Sequence, residues 1–281
     1  MNYLNALNYG NKLLKSSNIK NYILDSELLL SKVLNSSREK LLLNLECNIE
    51  KKNFNKFKRL ILRRKKNEPI AHIIKNKEFW RYNFKVNSEV LIPRPETEII
   101  VYKILRLISF KSSRQILDIG TGSGCILLSI IKERPNCYGT AIDISKKALK
   151  VAISNAKMHH LENKVKFINI DIDKFNLNKY DFIVSNPPYI NKFDFNRLEK
   201  DIKFYEPAIA LKAGIDGLSE IKKLILKSRS LLKENGKLIF EIGKNQVNDV
   251  VKILKKNNFY VNEVCKDIQL HPRVIISSKI F

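Results

Sequence analysis

From Gln115 onward the chain alternates short apolar runs with amphipathic stretches, and that alternation leaves few folds open. Strand-length runs stand at Gln115–Ile119, Tyr138–Ile142, Val165–Ile170, Phe182–Ser185 and Lys237–Ile242. Helical periodicity covers about Ser123–Glu133, Lys146–His160, Gly217–Lys233 and Val247–Asn257. Strands that alternate with helices build a parallel sheet covered on both faces, so the expected class is α/β. Val261–Ile268 and Arg273–Lys279 read as a closing antiparallel pair. No internal repeat and no long low-complexity segment interrupts this order.

The part before it has a different texture. Apolar residues recur at helical spacing in Leu4, Leu7, Leu13 and Leu14, and again in Ile23, Leu24, Leu28, Leu29 and Leu30. Asp25 and Glu27 fall near the start of the second run, where a helix dipole favours acids. A third helix is expected from about Glu50 to Lys66. Its apolar face holds Phe54, Phe57, Leu60 and Ile61; its other face holds Lys51, Lys52, Lys56, Lys58, Arg59, Arg63, Arg64, Lys65 and Lys66. Such a face is either simply solvated or docks onto an acidic or ribonucleoprotein partner. Asn67-Glu68-Pro69 closes this bundle, because proline disfavours helical geometry at the residue before it. The aromatic, alternating stretch Glu78–Val86 predicts a hairpin. Leu91-Ile92-Pro93-Arg94-Pro95-Glu96-Thr97-Glu98 then leads into a helix from about Glu96 to Phe110, with Pro95 and the acids suited to its first turn. Three parts are expected: a helical bundle at 1–68, a hairpin linker at 69–93 and the α/β domain at 94–281.

Composition narrows the class further. The chain has 281 residues, 44% of them hydrophobic, enough for a core in more than one domain. No apolar run reaches the roughly 20 residues that span a bilayer, and the N-terminus lacks the pattern of a signal peptide. Cys47, Cys125, Cys137 and Cys265 show no paired spacing, which fits free thiols in a reducing cytoplasm. The histidines are scattered apart from His159-His160, so no metal site is expected. The net charge of +24 suggests a polyanion partner. The enrichment in lysine, asparagine and isoleucine runs along the whole chain, however, as an AT-biased genome would make it. Charge alone is therefore poor evidence for nucleic acid.

Two stretches carry chemistry. Asp118-Ile119-Gly120-Thr121-Gly122-Ser123-Gly124 joins the first strand to the first helix, where glycines let a ligand approach the backbone. Asp143 ends the second strand roughly 20 residues on, the place for a carboxylate on ribose hydroxyls. The pair fits either a dinucleotide or S-adenosylmethionine. Cys125 breaks the dinucleotide glycine pattern, and Asp171, with Ile172 beside it, follows the third strand, where it could accept from an adenine amino group; both favour S-adenosylmethionine. The second stretch is Asn186-Pro187-Pro188-Tyr189. Two prolines cannot donate to a ladder, so the strand Phe182–Ser185 stops there and presents an amide, a rigid kink and an aromatic ring. In an open α/β sheet, ligands bind at the carboxyl ends of strands.

Together these residues resemble the class I S-adenosylmethionine-dependent methyltransferases that methylate nitrogen on a planar group, with a Rossmann-like sheet. Within them the chain is similar to the release factor glutamine methyltransferase family. The likeness runs from about Glu68 to the C-terminus, through Glu68-Pro69-Ile70-Ala71, Glu78-Phe79-Trp80, Leu91–Glu98, Val184–Ile190, Tyr205-Glu206-Pro207 with Ala210-Leu211, Asp216-Gly217-Leu218 and Glu241-Ile242-Gly243. Leu270-His271-Pro272-Arg273-Val274 departs from it, standing where the family has a glycine-containing turn.

The resemblance implies S-adenosylmethionine held by Asp118, Gly120, Thr121, Gly122, Ser123, Gly124, Asp143, Asp171, Ile172 and Asn186. It implies a protein glutamine held by Asn186, Pro187, Pro188 and Tyr189, with Arg94 and Glu96 also on the substrate. In that arrangement the Asn186 side-chain oxygen and the Pro187 carbonyl accept the two N–H groups of the amide, and Tyr189 stacks on its plane. The implied partner is a class I peptide chain release factor, met by a cytoplasmic monomer with neither membrane nor nucleic-acid substrate. An adenine-N6 DNA or RNA methyltransferase is the first alternative, since such a pocket also takes a flipped base. A non-catalytic ribosome- or RNA-binding protein is the second.

Overall fold

A computed structural model describes residues 1–280 and divides into two compact units, residues 1–76 with 199–205, and residues 77–198 with those from 206 onward. Among the described residues no helix is long and apolar enough to cross a membrane.

The first unit contains α1 (Tyr3–Lys15), α2 (Tyr22–Leu34), α3 (Arg38–Leu42), α4 (Lys51–Lys65) and α5 (Ile70–Ile74). Its core joins Ala6, Leu7 and Leu14 of α1, Leu29 and Leu30 of α2, and Phe57 and Ile61 of α4. The helices approach closely at Gly10, where an added Cβ would lie 2.8 Å from the Phe57 ring and 2.9 Å from Ser26 Oγ. Asp25 stands in the first turn of α2 as expected, and both Asp25 and Glu27 are buried and paired with arginines. Arg64 Nε reaches Asp25 Oδ2 at 2.6 Å, and Arg38 Nε reaches Glu27 Oε2 at 2.6 Å. Arg63 pairs with Glu68, at 2.5 and 2.8 Å. Two arginines of the expected basic face therefore hold the bundle together, and the exposed charge on α4 is carried by Lys51, Lys52, Lys56, Arg59 and Lys65.

The second unit opens with the hairpin β1 (Lys77–Phe79) and β2 (Tyr82–Phe84). Glu133 pins it, accepting from Trp80 Nε1 and from the Tyr82 hydroxyl, both at 3.0 Å. The expected helix from Glu96 begins instead as a 3-10 turn, Pro95–Thr97, before α6 (Glu98–Leu107). The alternation then follows as β3 (Gln115–Ile119), α7 (Cys125–Glu133), β4 (Tyr138–Asp143), α8 (Lys146–Met158), β5 (Val165–Asn169) and β6 (Tyr180–Ser185). After β6 come α9 (Lys192–Asn196) and α10 (Lys200–Tyr205), short helices without a clear apolar period, of which α10 belongs to the first unit. The chain closes with α11 (Ser219–Leu231), β7 (Leu232–Glu241), α12 (Val247–Lys256), β8 (Phe259–Lys266) and β9 (Pro272–Lys279). β7 starts earlier than its apolar run, because Leu232 already pairs with Tyr180 of β6; the polar residues 233–235 and Gly236 follow, and only Lys237–Glu241 pair with β9.

Seven strands form one sheet in the order β5-β4-β3-β6-β7-β9-β8, with β9 antiparallel to both neighbours. Side chains alternate across it, as the pleat requires. Ile116, Phe182, Val184 and Ile239 enter one buried layer. Leu117, Ile183, Leu238 and Phe240 enter the other. The sequence order reverses between β3 and β6, and a reversal of that kind opens a crevice at the carboxyl ends of the strands. Register brings those ends level: Ile119 pairs with both Ile142 and Ser185, and Asp143 pairs with Asn169.

Candidate active site

Register puts the residues following β3, β4, β5 and β6 around one cavity of about 530 Å³, within the range of small-molecule sites. On one side runs the glycine loop. Gly122 has φ of 56°, and its N–H donates to Asp143 Oδ2 at 2.9 Å. Asp143 Oδ1 takes the Ser145 N–H at 2.8 Å. Each oxygen keeps a second lone pair for a hydroxyl. Burial pushes the Asp143 carboxyl up, against those two N–H bonds. Buried Asn155 anchors the loop from behind: its Nδ2 donates to Ser123 O at 2.8 Å and Lys85 O at 3.0 Å, and its Oδ1 accepts the Lys85 N–H at 2.7 Å. Ile144, Ile170, Asp171 and Ile172 complete this end of the wall. Asp171 also caps the 3-10 turn Ile172–Lys174.

The opposite end is built from side chains far apart in sequence. Asn186 Nδ2 donates to Thr97 Oγ1 at 3.0 Å, and the Thr97 hydroxyl donates to Glu241 Oε2 at 2.6 Å. The Tyr189 hydroxyl donates to Glu241 Oε1 at 3.0 Å. Glu241 is 1% exposed. Burial pushes its carboxyl up, opposed by the Thr97 and Tyr189 bonds and by the charge of Arg273. Burial, with the Glu241 charge, holds the Tyr189 hydroxyl in its protonated form. Gln246 fixes the chain beyond Tyr189, its Nε2 donating to Tyr189 O at 3.1 Å and Gly217 O at 3.0 Å. Arg94 Nη2 donates to Glu206 Oε1 at 2.5 Å, and the Ile92 N–H donates to Glu206 Oε2 at 3.1 Å, tying the two wall segments together.

Most of the expected residues meet here. Arg94, Gly120, Thr121, Gly122, Ser123, Asp143, Asp171, Ile172, Asn186, Pro187 and Pro188 all line the cavity. Four stand off its lining. Asp118 is fully buried behind the loop, accepting from the Thr121 hydroxyl at 2.7 Å. Gly124 starts α7 at φ 81°, and a Cβ there would lie 2.9 Å from Leu128 Cδ1, so this glycine serves packing. Glu96 is half-buried on the 3-10 turn. Tyr189 commits its hydroxyl to Glu241. The residues without an expected role are Thr97, Asn155, Glu206, Glu241 and Gln246. Glu241 was signalled twice, as an acid ending the apolar run Leu238-Ile239-Phe240 and as part of the family stretch Glu241-Ile242-Gly243, but neither signal gave it a role.

The PrmC N-terminal domain family matches residues 5–74, and a methyltransferase domain family matches residues 110–278. A release factor glutamine methyltransferase of Fusobacterium nucleatum is 39% identical over 279 residues, covering 98% of this chain and 78% of that protein. One of Clostridium acetobutylicum is 37% identical over 280 residues, 99% of this chain and 98% of that one. The chain belongs to the release factor glutamine methyltransferase family. It is an S-adenosylmethionine-dependent methyltransferase. Solved structures share the fold at low identity. A ribosomal protein L11 methylase of Lactobacillus delbrueckii superposes at TM-score 0.51 with 18% identity, covering 67% of this chain and 81% of that one. A Pyrococcus furiosus methyltransferase reaches 0.52 with 18% identity, covering 70% of this chain and 89% of that one.

The residues of the glycine-loop end suit the cofactor of this family. Asp143 offers lone pairs to paired hydroxyls, and the flanking isoleucines offer an apolar slot for a flat base. Asp118 Oδ1 is buried without a well-formed hydrogen bond, behind the loop rather than on the cavity lining. Burial pushes the Asp118 carboxyl up to about 7, opposed by Thr121 and reinforced by the Asp143 charge. Cys125 also touches the cavity, but burial pushes its thiol up to about 12, which leaves no thiolate to react.

Proposed function

We propose that this enzyme methylates the side-chain amide nitrogen (N5) of the glutamine in the Gly-Gly-Gln motif of class I peptide chain release factors, in the cytoplasm and as a monomer, in support of translation termination. The observation that carries this is the bond from Asn186 Nδ2 to Thr97. With its nitrogen engaged, Asn186 has its oxygen left as an acceptor beside the carbonyl of Pro187. An amide NH₂ has two donors and no strongly basic lone pair, so two acceptors are what it needs. Accepting both N–H groups fixes the plane of the amide and biases the nitrogen toward tetrahedral geometry. Pro187 and Pro188 restrict the backbone, so little ordering cost is left at the moment of reaction.

Asp143, Asp171, Ile172 and the loop Gly120–Ser123 would hold S-adenosylmethionine, which supplies an electrophilic methyl group, with Asp118 bracing that loop from behind through Thr121. Orientation rather than proton abstraction is then what the chain contributes, and the acidic product proton can pass to solvent. Relatives of nearly the same length named release factor glutamine methyltransferase support glutamine over a nucleobase. The exposed lysines of α4 would grip an acidic surface of the partner protein. Lys51, Lys52 and Lys56 changed together to Glu should weaken that association about tenfold at low salt and less at high salt. Arg63 and Arg64 are left alone in that test because they hold the bundle.

A labelled-methyl assay with release factor, DNA and ribosomes as acceptors tests the main reading. Label on the release factor, lost when its Gly-Gly-Gln glutamine is changed, is expected. Label on DNA or ribosomal RNA alone would replace it with the nucleobase alternative. No label on any acceptor would point to the non-catalytic one.

A further inference from the structure

The two ends of an asparagine side chain are nearly the same size, and only one of them is useful here. Presented with its NH₂ outward, Asn186 would set donor against donor on an incoming amide. Something must therefore select the orientation, and Asn186 alone cannot. We propose that Thr97 and Glu241 form an orientational lock on Asn186, in which the buried carboxylate sets the direction of the threonine proton and the threonine sets the asparagine.

The lock follows from counting protons. A threonine hydroxyl has one hydrogen to give and two lone pairs. Glu241 Oε2 takes that hydrogen at 2.6 Å, which leaves Thr97 Oγ1 able only to accept from Asn186 at 3.0 Å. The Asn186 NH₂ is the only part of that side chain that can donate, so Oδ1 is turned away from Thr97. The other end of Glu241 is held by the Tyr189 hydroxyl at 3.0 Å. Tyr189 belongs to the same tetrapeptide as Asn186, so the carboxylate ties both ends of that turn to one point. Thr97 sits on the 3-10 turn Pro95–Thr97, whose proline fixes its approach, and is 2% exposed. Water therefore does not compete for the hydroxyl. Arg273 faces Glu241 from β9 and favours the charged carboxylate, while Glu96 opposes it. Neither Thr97 nor Glu241 is a catalytic residue in this account; both act through Asn186.

The inference rests on the glutamine reading above, and its test separates the two. Thr97→Val keeps the shape and removes the hydroxyl. Thr97→Ser keeps the hydroxyl and removes a methyl group. Glu241→Gln can donate to Thr97, which frees the threonine proton to turn toward Asn186 Oδ1. For each variant, S-adenosylmethionine affinity is measured by titration, and kcat and KM are measured on a glutamine acceptor. Thr97→Val and Glu241→Gln are expected to lose about 10²-fold or more in kcat, the scale of one misplaced transition-state hydrogen bond. Cofactor affinity should stay within a few-fold in both, and Thr97→Ser should restore most of kcat.

Should Glu241→Gln fail to fold, Thr97→Val carries the test. Thr97→Val that turns over glutamine like the parent overturns the lock and leaves the glutamine reading standing. Thr97→Ser falling as far as Thr97→Val also overturns it, because packing of the methyl group would then be the cause. A parent enzyme that methylates nucleic acid and no glutamine overturns both.

Discussion

The two ends of the cavity are built in different ways. At the glycine-loop end the contacts span short stretches of chain: the Thr121 side chain bonds the Asp118 side chain three residues away, and the Gly122 N–H bonds Asp143 at a separation of 21. At the Asn186 end they are side chain to side chain across the whole unit, Thr97 to Asn186 at a separation of 89 and Thr97 to Glu241 at 144. A cradle closed within short stretches of chain suits a cofactor that never changes. A side-chain relay gives an acceptor site its polarity, and every member of it is a point of failure.

Asn186→Ala should show the largest effect. It removes one of two acceptors and should lower kcat by about 10³-fold while titration shows cofactor affinity unchanged. Turnover retained on a glutamine peptide would erase the distinction between the two ends. Next comes Asp143→Ala, which should do the reverse: cofactor affinity falls about 10- to 100-fold through lost charged hydrogen bonds, with kcat at saturating cofactor much less affected. An equal loss in both parameters would mean that the ends are coupled.

Asp118→Asn divides stability from binding. The folded state holds the Asp118 proton up to about pH 7, whereas an unfolded chain releases it near pH 4. Between those values the native state binds more protons, so stability falls as pH rises across that window. The asparagine variant should therefore melt higher than the parent at pH 8, show a flatter melting-temperature profile from pH 4 to 8, and bind cofactor more weakly. A variant that melts lower at pH 8 would contradict the burial cost assigned to this carboxylate.

Leu270→Gly is the smallest expected change. Leu270 has φ of 63° in the turn before β9, in the left-handed region that glycine enters freely and that costs other residues about 1–2 kcal/mol. The same turn carries Asp267, which accepts from Arg273 at 2.8 Å, and Arg273 in turn faces Glu241. Glycine there should raise stability by about 1 kcal/mol by denaturant melts and leave kcat unchanged. A fall in stability would show that the leucine side chain contributes more than its backbone strain costs.

What was legible in the sequence was contiguous. Short apolar runs separated by helical stretches gave the parallel sheet. The loop Asp118–Gly124, the acid Asp143 and the tetrapeptide Asn186–Tyr189 could be read because glycines, a strand-ending carboxylate and paired prolines each have a local reason to be where they are. Less visible were the short helices after β6, which have no apolar period, and the first turn at Pro95–Thr97, which is 3-10. Arg63 and Arg64 read as surface charge, and Asp25 and Glu27 only as helix-start acids, because their partners lie elsewhere in the chain or off the expected face.

The sequence by itself determined the fold class, the family and the cofactor loop, since each is written in neighbouring residues whose backbone demands are local. Only the tertiary structure decided which end of Asn186 faces the cavity, that Tyr189 turns its hydroxyl to Glu241, and that Asp118 and Gly124 support the loop from outside the cavity wall. Those outcomes depend on hydrogen bonds between residues of different strands and turns. Such bonds exist only once the register Ile119 to Ser185 has brought the strand ends level.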